Sequence, residues 1–201
     1  MRNSDYAIRC KCGRLHGVLS RSAPATRAIC YCRDCQAYAH ALGKPESILD
    51  PLGGTEVVAT LQQYITFDKG ADSLACLSLR EQGLLRWYAS CCKTPIANIT
   101  RDPKLSYVGV MHSCLGTSAS RESAFGPARV VVNTKHAKGK VSMSVVRTLL
   151  GIAPTIASVI RARINGTWKR SPFFGVNFEP MTKRRVLTPE ERKQAYDAVN
   201  K

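Results

Sequence analysis

This sequence contains few acidic residues. Its 201 residues include 14 Asp and Glu against 30 Lys and Arg, which gives a formal net charge of +16. Between Glu122 and Glu179 there is no acidic residue at all. This charge balance favours an anionic partner such as nucleic acid, a membrane surface or a small anion. The alternative is a basic, solvated surface that only aids solubility.

The sequence also lacks internal repeats, low-complexity segments and a long hydrophobic run. The longest apolar stretch, Val145 to Ile160, is interrupted by Arg147 and Pro154 and falls short of the ~20 residues that span a bilayer. Residues 1–6 have no apolar segment typical of a secretory signal. We therefore expect a cytoplasmic protein with no membrane partner. Its composition, 44% hydrophobic and 22% charged residues, is that of a globular chain and excludes disorder.

Cysteine, in contrast, is abundant. The chain has nine cysteines, and in a reducing compartment this odd number argues against a disulfide framework. Seven of them fall into three short clusters: Cys10 and Cys12; Cys30, Cys32 and Cys35; Cys91 and Cys92. Thiolates one or two residues apart can converge on one ion, and soft sulfur ligands in a tetrahedral arrangement select zinc. An isolated cysteine is more simply a small buried hydrophobic residue.

Residues 1–139 are predicted to form a mainly β domain. Short runs of β-branched, aromatic and aliphatic residues recur between turn residues, at 56–60, 63–67, 74–79, 84–88, 107–110 and 129–132. One short helix is expected to follow Cys32 and to end at Gly43.

Residues 140–201 are predicted to form a basic, mainly helical C-terminal extension. Apolar residues recur at helical spacing from Val141 to Ile164, and Gly151 and Pro154 are expected to divide this stretch into two helices. We expect its apolar stripe to pack on the β core rather than on a membrane. A capping box with proline at the first helical position predicts a last helix from Pro189 to about Val199.

The cysteine clusters follow one another in an ordered pattern. The three segments are Cys10-Lys11-Cys12-Gly13, Cys30-Tyr31-Cys32-Arg33-Asp34-Cys35 and Ala89-Ser90-Cys91-Cys92-Lys93-Thr94-Pro95. They resemble the motifs of the glutathione-dependent formaldehyde-activating enzyme family, which also includes centromere protein V. That family has Cys-x-Cys-Gly, then Cys-His-Cys-x-x-Cys, then Cys-x-x-Cys-Gly-Thr-Pro. The resemblance extends from about residue 6 to residue 112.

This resemblance implies a compact fold of small coiled antiparallel sheets that binds one or two zinc ions. The ligands of a closed structural site would include Cys10, Cys12 and Cys92. The ligands of a second site with an open position would be Cys30, Cys32 and Cys35. At that open position a thiol such as glutathione would be activated for addition to, or release from, a small aldehyde. The implied activity is that of a carbon–sulfur lyase of the S-(hydroxymethyl)glutathione synthase type.

Three positions differ from the family pattern. Tyr31 replaces the usual His, Ala89 replaces the first cysteine of the third motif, and Lys93 replaces Gly. The change at Tyr31 removes a potential proton carrier beside the thiolates.

The adjacent cysteines of the third motif raise a geometric question. Neighbouring residues of a regular strand point to opposite faces, so Cys91 and Cys92 reach one ion only if the chain turns at Ser90-Cys91. We predict that turn, which closes a four-cysteine site. The alternative is that Cys92 alone binds the metal from this segment.

The leading functional hypothesis is therefore a zinc-dependent lyase acting on a thiol–aldehyde adduct. Arg33 lies between two ligands and is the candidate to orient the carboxylates of glutathione; its alternative is a surface arginine beside a metal loop. Two other hypotheses are a non-catalytic zinc module that binds an acidic partner such as nucleic acid, and a redox or metal sensor. Because no base-reading motif accompanies the basic stretch, we expect nucleic-acid binding to be at most weak and non-specific.

Overall fold

The computed structural model describes residues 5–200. Residues 1–4, on which the expectation about an export signal partly rests, lie outside them. The described chain contains the strands β1 (Tyr6–Arg9), β2 (His16–Leu19), β3 (Thr26–Cys30), β4 (Thr55–Leu61), β5 (Ile65–Lys69), β6 (Leu74–Ser78), β7 (Leu85–Ala89), β8 (Pro95–Ile99), β9 (Tyr107–Met111), β10 (Val130–Val132) and β11 (Arg184–Val186). Its helices are α1 (Arg33–Ala41), α2 (Pro45–Ile48), α3 (Ser118–Phe125), α4 (Val145–Ile164) and α5 (Pro189–Val199). A sheet-rich core with a helical C-terminal segment confirms the predicted fold class.

The strands form two sheets. The larger has eight strands in the order β10-β3-β4-β9-β8-β7-β6-β11, and the smaller has the order β1-β2-β5. The inner strands of the larger sheet are antiparallel, whereas β10 and β11 add parallel to β3 and β6 at its edges. Both edge strands come late in the chain, so the large sheet is complete only when residues 130–186 have joined it.

The two faces of the large sheet are covered differently. On one face, buried side chains such as Trp87 pack against the small sheet, to which Ile8 belongs. On the other face, Tyr38 of α1 and Val199 of α5 join Val57 of β4 in a second buried cluster. Because successive residues of a strand point to opposite faces, these strands carry apolar side chains on both.

Residues 145–164 form one helix, and the prediction of two helices divided at Gly151 and Pro154 is wrong. Pro154 cannot donate to the carbonyl of Leu150, but it lies on the exposed side of α4, where water can satisfy that carbonyl. Gly151 faces β10, and a Cβ there would come 2.8 Å from Cγ2 of Val130. The glycine therefore permits close packing of helix on strand and does not end the helix.

The buried residues of α4 are small. The residues buried against the sheet are Thr148, Gly151, Thr155 and Ala162. Larger residues of the predicted apolar stripe are exposed, namely Val145, Leu149, Ile156, Ile160 and Ile164, whereas Ile152 packs against the second buried cluster. The expectation that this stripe packs on the core is therefore wrong for those five and confirmed for Ile152. The helix has 20 residues and, by length and composition alone, could cross a bilayer.

The chain beyond α4 returns to the same core. Phe173 is fully buried beside Phe67 and Trp87, and β11 pairs with β6. Helix α5 begins at the predicted capping box, in which Thr188 and Glu191 exchange side-chain-to-backbone hydrogen bonds. The predictions of α1 and α5 are confirmed.

Candidate metal centres

Four cysteines from two distant turns come together. Cys10 and Cys12 lie in the turn between β1 and β2, and Cys91 and Cys92 lie in the turn between β7 and β8. The first turn belongs to the small sheet and the second to the large sheet. The group therefore connects the two sheets.

The sulfur atoms of this group have the spacing of a tetrahedral thiolate site. Sγ of Cys12 lies 3.5 Å from that of Cys10 and 3.3 Å from that of Cys91. Sγ of Cys91 lies 3.8 Å from that of Cys92, and all four sulfurs are within 4.8 Å of one another. Zn–S bonds of about 2.3 Å in a tetrahedron place the sulfurs about 3.8 Å apart. The chain turns at residues 90–92, as predicted, and both adjacent sulfurs belong to the group.

Hydrogen bonds reach these sulfurs from both turns. The N–H of Leu15 donates to Sγ of Cys10 over 3.2 Å, and Oγ1 of Thr94 lies 3.1 Å from Sγ of Cys92. The same Oγ1 accepts a hydrogen bond of 3.0 Å from the N–H of Lys11. Burial opposes ionisation of Cys92, but the Thr94 hydroxyl and nearby backbone groups lower its pKa to about 6. Such contacts stabilise the thiolates that a metal requires.

The turn that presents the adjacent cysteines contains a strained residue. Lys93 has a φ of 58°, a left-handed conformation that glycine adopts without steric cost. Nζ of Lys93 lies 5.1 Å from the ring centre of Tyr88, a contact that offsets part of the strain.

The second group consists of Cys30, Cys32 and Cys35, whose sulfurs lie within 4.8 Å of one another. Cys30 ends β3, Cys32 is the N-cap of α1, and Cys35 lies in the first turn of that helix. Sγ of Cys32 accepts a hydrogen bond of 3.3 Å from the N–H of Cys35. The positive end of the helix dipole favours thiolates here. Within residues 5–200, no fourth Cys, His, Asp or Glu joins this group.

Three thiols this close do not ionise independently. Hydrogen bonds from Cys32 and Cys35 lower the pKa of Cys30. Hydrogen bonding to Cys30 in turn raises the pKa of Cys32 and of Cys35. One thiolate is thus stabilised by two thiols, and a divalent cation is needed for all three to act as thiolates. The donor set fits a soft divalent metal such as zinc.

Nitrogen donors lie next to the three-cysteine group. Nη1 of Arg86 is 4.0 Å from Sγ of Cys35, and Nδ2 of Asn133 is 3.3 Å from Sγ of Cys30. Arg86 is 2% exposed and donates to Oδ1 of Asn98 over 3.3 Å. In the described part of the chain, no carboxylate pairs with Arg86. A buried guanidinium in this position balances the negative charge of the thiolates.

The three-cysteine group opens onto a cavity of about 720 Å³ between α4 and the large sheet. Alternate residues of a strand share a face, so the sheet wall is formed by Thr26 and Ala28 of β3 and by Val57 and Ala59 of β4. Ile156 lies on the helix wall. The cysteines and the cavity together form one candidate site for a ligand.

Comparison with known proteins identifies a family without assigning it a function. Residues 4–176 match the sequence model of a family of unknown function, DUF6151. The chain belongs to this family. No curated protein matches the sequence. One crystal structure, of a Rhodobacter sphaeroides protein from a structural-genomics programme, covers 61% of this chain and 96% of its own, with 15% identity and a TM-score of 0.41.

The seven predicted cysteine ligands of this DUF6151 chain all belong to one of the two groups, but Arg33 lies elsewhere. Its guanidinium lies 5.8 Å from the ring centre of Tyr196 and donates to Oδ1 of Asn200, beside α5. Arg33 is not among the residues that line the cavity, whereas Arg86 is. The geometry therefore favours Arg86 over Arg33 as the arginine that faces a ligand.

Tyr31 is held away from the cavity. It is buried, and its hydroxyl donates to Oδ2 of Asp50 over 3.0 Å. Burial, together with the Asp50 carboxylate, raises the pKa of Tyr31 to about 12. The residue therefore stays protonated at neutral pH and anchors the loop that contains Asp50.

The remaining two cysteines belong to neither group. Cys76 of β6 and Cys114 are both buried, and burial raises the pKa of each thiol to about 12. The expectation that an isolated cysteine is a small buried hydrophobic residue is confirmed for Cys76. His112 hydrogen-bonds through Nδ1 to the carbonyl of Glu56 and does not pair with Cys114.

Sequence reasoning missed Arg86, Asn98 and Asn133. A signal for Arg86 was present, since a charged residue in the otherwise apolar run Leu84-Leu85-Arg86-Trp87-Tyr88 needs a buried partner. No local signal existed for Asn133, because it reaches Cys30 only through the parallel pairing of β10 with β3.

Proposed function

We propose that this protein is a zinc-dependent enzyme that forms or cleaves a carbon–sulfur bond between a thiol and an aldehyde. In this proposal the four-cysteine group holds a structural zinc, and the three-cysteine group holds a catalytic zinc. The observation that carries the proposal is that three clustered thiols, with no fourth protein ligand among the described residues, face a large cavity. Structural zinc sites are closed, whereas catalytic sites keep one position for substrate.

The four-cysteine group fits the structural role. Its sulfurs come from turns of both sheets, so a bound ion would link elements that are far apart in sequence. Metal binding of this kind contributes directly to folding free energy. The cysteine motifs also follow one another in the order typical of the formaldehyde-activating family, and this resemblance supports the division into two sites.

The reaction requires a thiolate and a polarised carbonyl group. Zinc would hold an incoming thiol, for example glutathione, as its thiolate at neutral pH. In the addition direction the thiolate sulfur forms a bond to the carbonyl carbon, and the carbonyl oxygen takes up the proton that the thiol has lost. In the reverse direction the C–S bond breaks, the hydroxyl proton leaves, and the aldehyde and thiol are released.

The chain provides a cation for the oxygen that becomes negative in this reaction. Arg86 is buried beside Cys35 and lines the cavity, so its guanidinium can stabilise an oxyanion without first being desolvated. Oδ1 of Asn98 accepts a 3.3 Å hydrogen bond from the same Nη1 that contacts Cys35, and it helps to hold the guanidinium in place. The donation from Asn133 to Cys30 orients a ligand of the metal.

Elemental analysis of protein purified without chelator tests the proposal. We expect about two zinc ions per chain in the native protein and about one in Cys32→Ser, which should fold but lose thiol–aldehyde activity. Cys12→Ser should also lose one zinc, with a larger fall in melting temperature. Metal-free protein with an unchanged melting temperature would contradict the proposal. Unfolding of Cys32→Ser but not of Cys12→Ser would reverse the two assignments.

A further inference from the structure

The cavity beside the three-cysteine group is too large and too apolar for formaldehyde alone. Its volume of about 720 Å³ lies within the range that encloses a drug-sized ligand. Apart from the cysteines, the charged residues among its described lining are Asp34 and Arg86. Asp34 is already engaged by Arg80 and by the Tyr196 hydroxyl. One buried cation therefore remains to face a ligand.

The fold creates this volume with small residues. Three lining positions on neighbouring strands have small residues, namely Ala28, Ala59 and Gly109. Larger side chains at these positions would fill part of the cavity. A Cβ at Gly109 would come 3.0 Å from Oη of Tyr107. On the helix side, Ile152 and Val159 are among the residues that complete an apolar wall.

Several polar side chains of the lining lie near the cysteines, whereas the hydroxyls of Thr26 and Thr155 lie farther along it. Cys30 pairs in register with Thr55, whose buried Oγ1 has no hydrogen-bond partner in the described chain. Arg86 and Asn98 are hydrogen-bonded to each other beside Cys35. A ligand that satisfies this lining has one small polar head and an apolar body. The two carboxylates and the ammonium group of glutathione would find no matching partners in the apolar part.

We propose that the cavity binds an aliphatic aldehyde of medium chain length, about six to ten carbons, with its carbonyl group toward Arg86 and its chain along α4. This inference rests on the proposed function for the chemistry at the cysteines. The thiol approaches from the open side, and the cavity selects the aldehyde by burying its chain.

Binding can be measured apart from chemistry with unreactive analogues. Zinc-loaded protein is titrated by calorimetry with 1-butanol, 1-hexanol and 1-octanol. We expect the affinity to rise about fourfold for each added methylene. Ala59→Phe should fill the cavity from the sheet side and remove the dependence of affinity on chain length. Ile156→Trp should fill it from the helix side and serves as the test if Ala59→Phe fails to fold. Val176→Phe, at an exposed position outside the cavity, is the matched control and should keep it.

Different results would contradict the inference about the cavity and the proposed function. Equal affinity for the three alcohols, or a chain-length dependence that both filling variants leave unchanged, overturns the inference about the cavity. A chain-length dependence in protein that binds no zinc at Cys30, Cys32 and Cys35 supports the cavity inference and overturns the proposed function. Thiol addition to octanal should have a kcat/KM about tenfold or more above that for butanal, and equal values would also overturn the inference.

A second, independent observation concerns the outer face of α4. Large apolar residues cover it from end to end, and Leu150 and Ile164 are 70% and 82% exposed. At its first turns, Arg129 and Arg147 line a surface hollow together with Val146 and Leu150. At its last turn, Arg161 lies beside Ile160 and Ile164. Apolar and cationic side chains thus alternate on one surface.

We infer that this face docks on an anionic lipid bilayer, with α4 lying in the plane of the interface. The opposite face of α4 packs toward the sheet, where Thr148, Gly151 and Thr155 are buried. The outer face is therefore the one available for lipid. Among described residues, Arg129, Arg147 and Arg161 form no ion pair that would compete with lipid headgroups. Apolar insertion combined with basic residues is the pattern of interfacial helices.

Co-sedimentation with vesicles tests this inference. The protein should bind vesicles that contain 30% phosphatidylglycerol more tightly than pure phosphatidylcholine vesicles, with about a fivefold loss for Arg147→Gln. Leu150→Gln should weaken binding, whereas Lys193→Gln on exposed α5 should not. Failure to bind either vesicle overturns the inference. So does a dimer in sedimentation velocity that Leu150→Gln dissociates, because the face would then be an interface between two copies of the chain.

Discussion

Sγ of Cys91 lies 3.3 Å from Sγ of Cys12, although 79 residues separate the two in sequence. Cys12 belongs to the β1–β2 turn of the small sheet, and Cys91 belongs to the β7–β8 turn of the large sheet. The turn at residues 90–92 therefore brings the sulfur of Cys91 into the four-cysteine group. Ala89, at the end of β7, is fully buried in the core.

Replacing Cys91 with alanine should remove about one zinc ion per chain and lower the melting temperature by about 5 °C or more, because a structural metal contributes to folding free energy. Inductively coupled plasma analysis and thermal unfolding measure the two effects. Cys114→Ala is the control: this buried cysteine lies outside both groups, so the variant should be less stable but keep its zinc. Unchanged zinc content in Cys91→Ala would show that Cys91 is not a ligand.

Lys93→Gly should be more stable than Lys93→Ala by about 1 kcal/mol, because both lose the contact with Tyr88 but only glycine relieves the left-handed backbone. Chemical denaturation of the zinc-loaded variants measures the difference. Equal stabilities would mean that the turn does not hold residue 93 at positive φ.

Glu56→Gln should destabilise the fold by about 2–3 kcal/mol at neutral pH, because it leaves two buried arginines without their anion. Nε of Arg27 donates to Oε1 of Glu56 over 2.8 Å, and Nη2 of Arg121 donates to Oε2 over 3.3 Å. Asp102→Asn, in the exposed pair with Arg163, is the control and should change stability by about 0.5 kcal/mol or less. Similar losses in the two variants would contradict the special role of Glu56.

The same carboxylate should make stability depend on pH. Burial opposes ionisation of Glu56, but hydrogen bonds from Arg121 and Arg27 outweigh it and hold the folded-state pKa below the usual value. The stabilisation is therefore complete above the unfolded-state pKa and is lost as pH falls through the folded-state pKa. Denaturation midpoints measured from pH 7 to pH 3 should decline less steeply for Glu56→Gln than for the native chain. Parallel declines would exclude this residue as a source of acid sensitivity.

Arg86→Met should lower kcat for thiol addition to an aldehyde by about 10²-fold, the usual effect of removing one oxyanion donor, without loss of zinc. Arg33→Met is the matched control and should leave kcat unchanged, because Arg33 begins α1, faces Tyr196 of α5 and lies outside the cavity. The rate at which free thiol disappears, together with the metal content, checks both variants. A loss of activity in Arg33→Met but not in Arg86→Met would mean that Arg33 faces the ligand, as the sequence predicts.

Local patterns in the sequence were sufficient for the parts of the structure that short-range physics controls. Cys30, Cys32 and Cys35 lie within six residues, so one strand end and one helix turn are enough to bring their sulfurs together. The α5 helix follows from its own capping box, whose hydrogen bonds join Thr188 to Glu191. The strands β4, β5, β6, β7 and β9 follow from their own apolar runs and turns, whereas β8 was not predicted.

Tertiary structure decided what depends on contacts between distant segments. The α4 helix continues through Gly151 and Pro154 because the glycine packs closely on Val130 and the proline faces solvent, so local helix-breaking tendencies are overridden. Arg86 of β7 meets Cys35 only because α1 packs on the large sheet, and the cavity exists only where α4 lies over that sheet. The sequence alone therefore determined which residues can bind a metal. Only the packing of distant strands and helices decided that Cys91 completes one group and that the other group opens onto an apolar cavity, because neither contact leaves a local pattern.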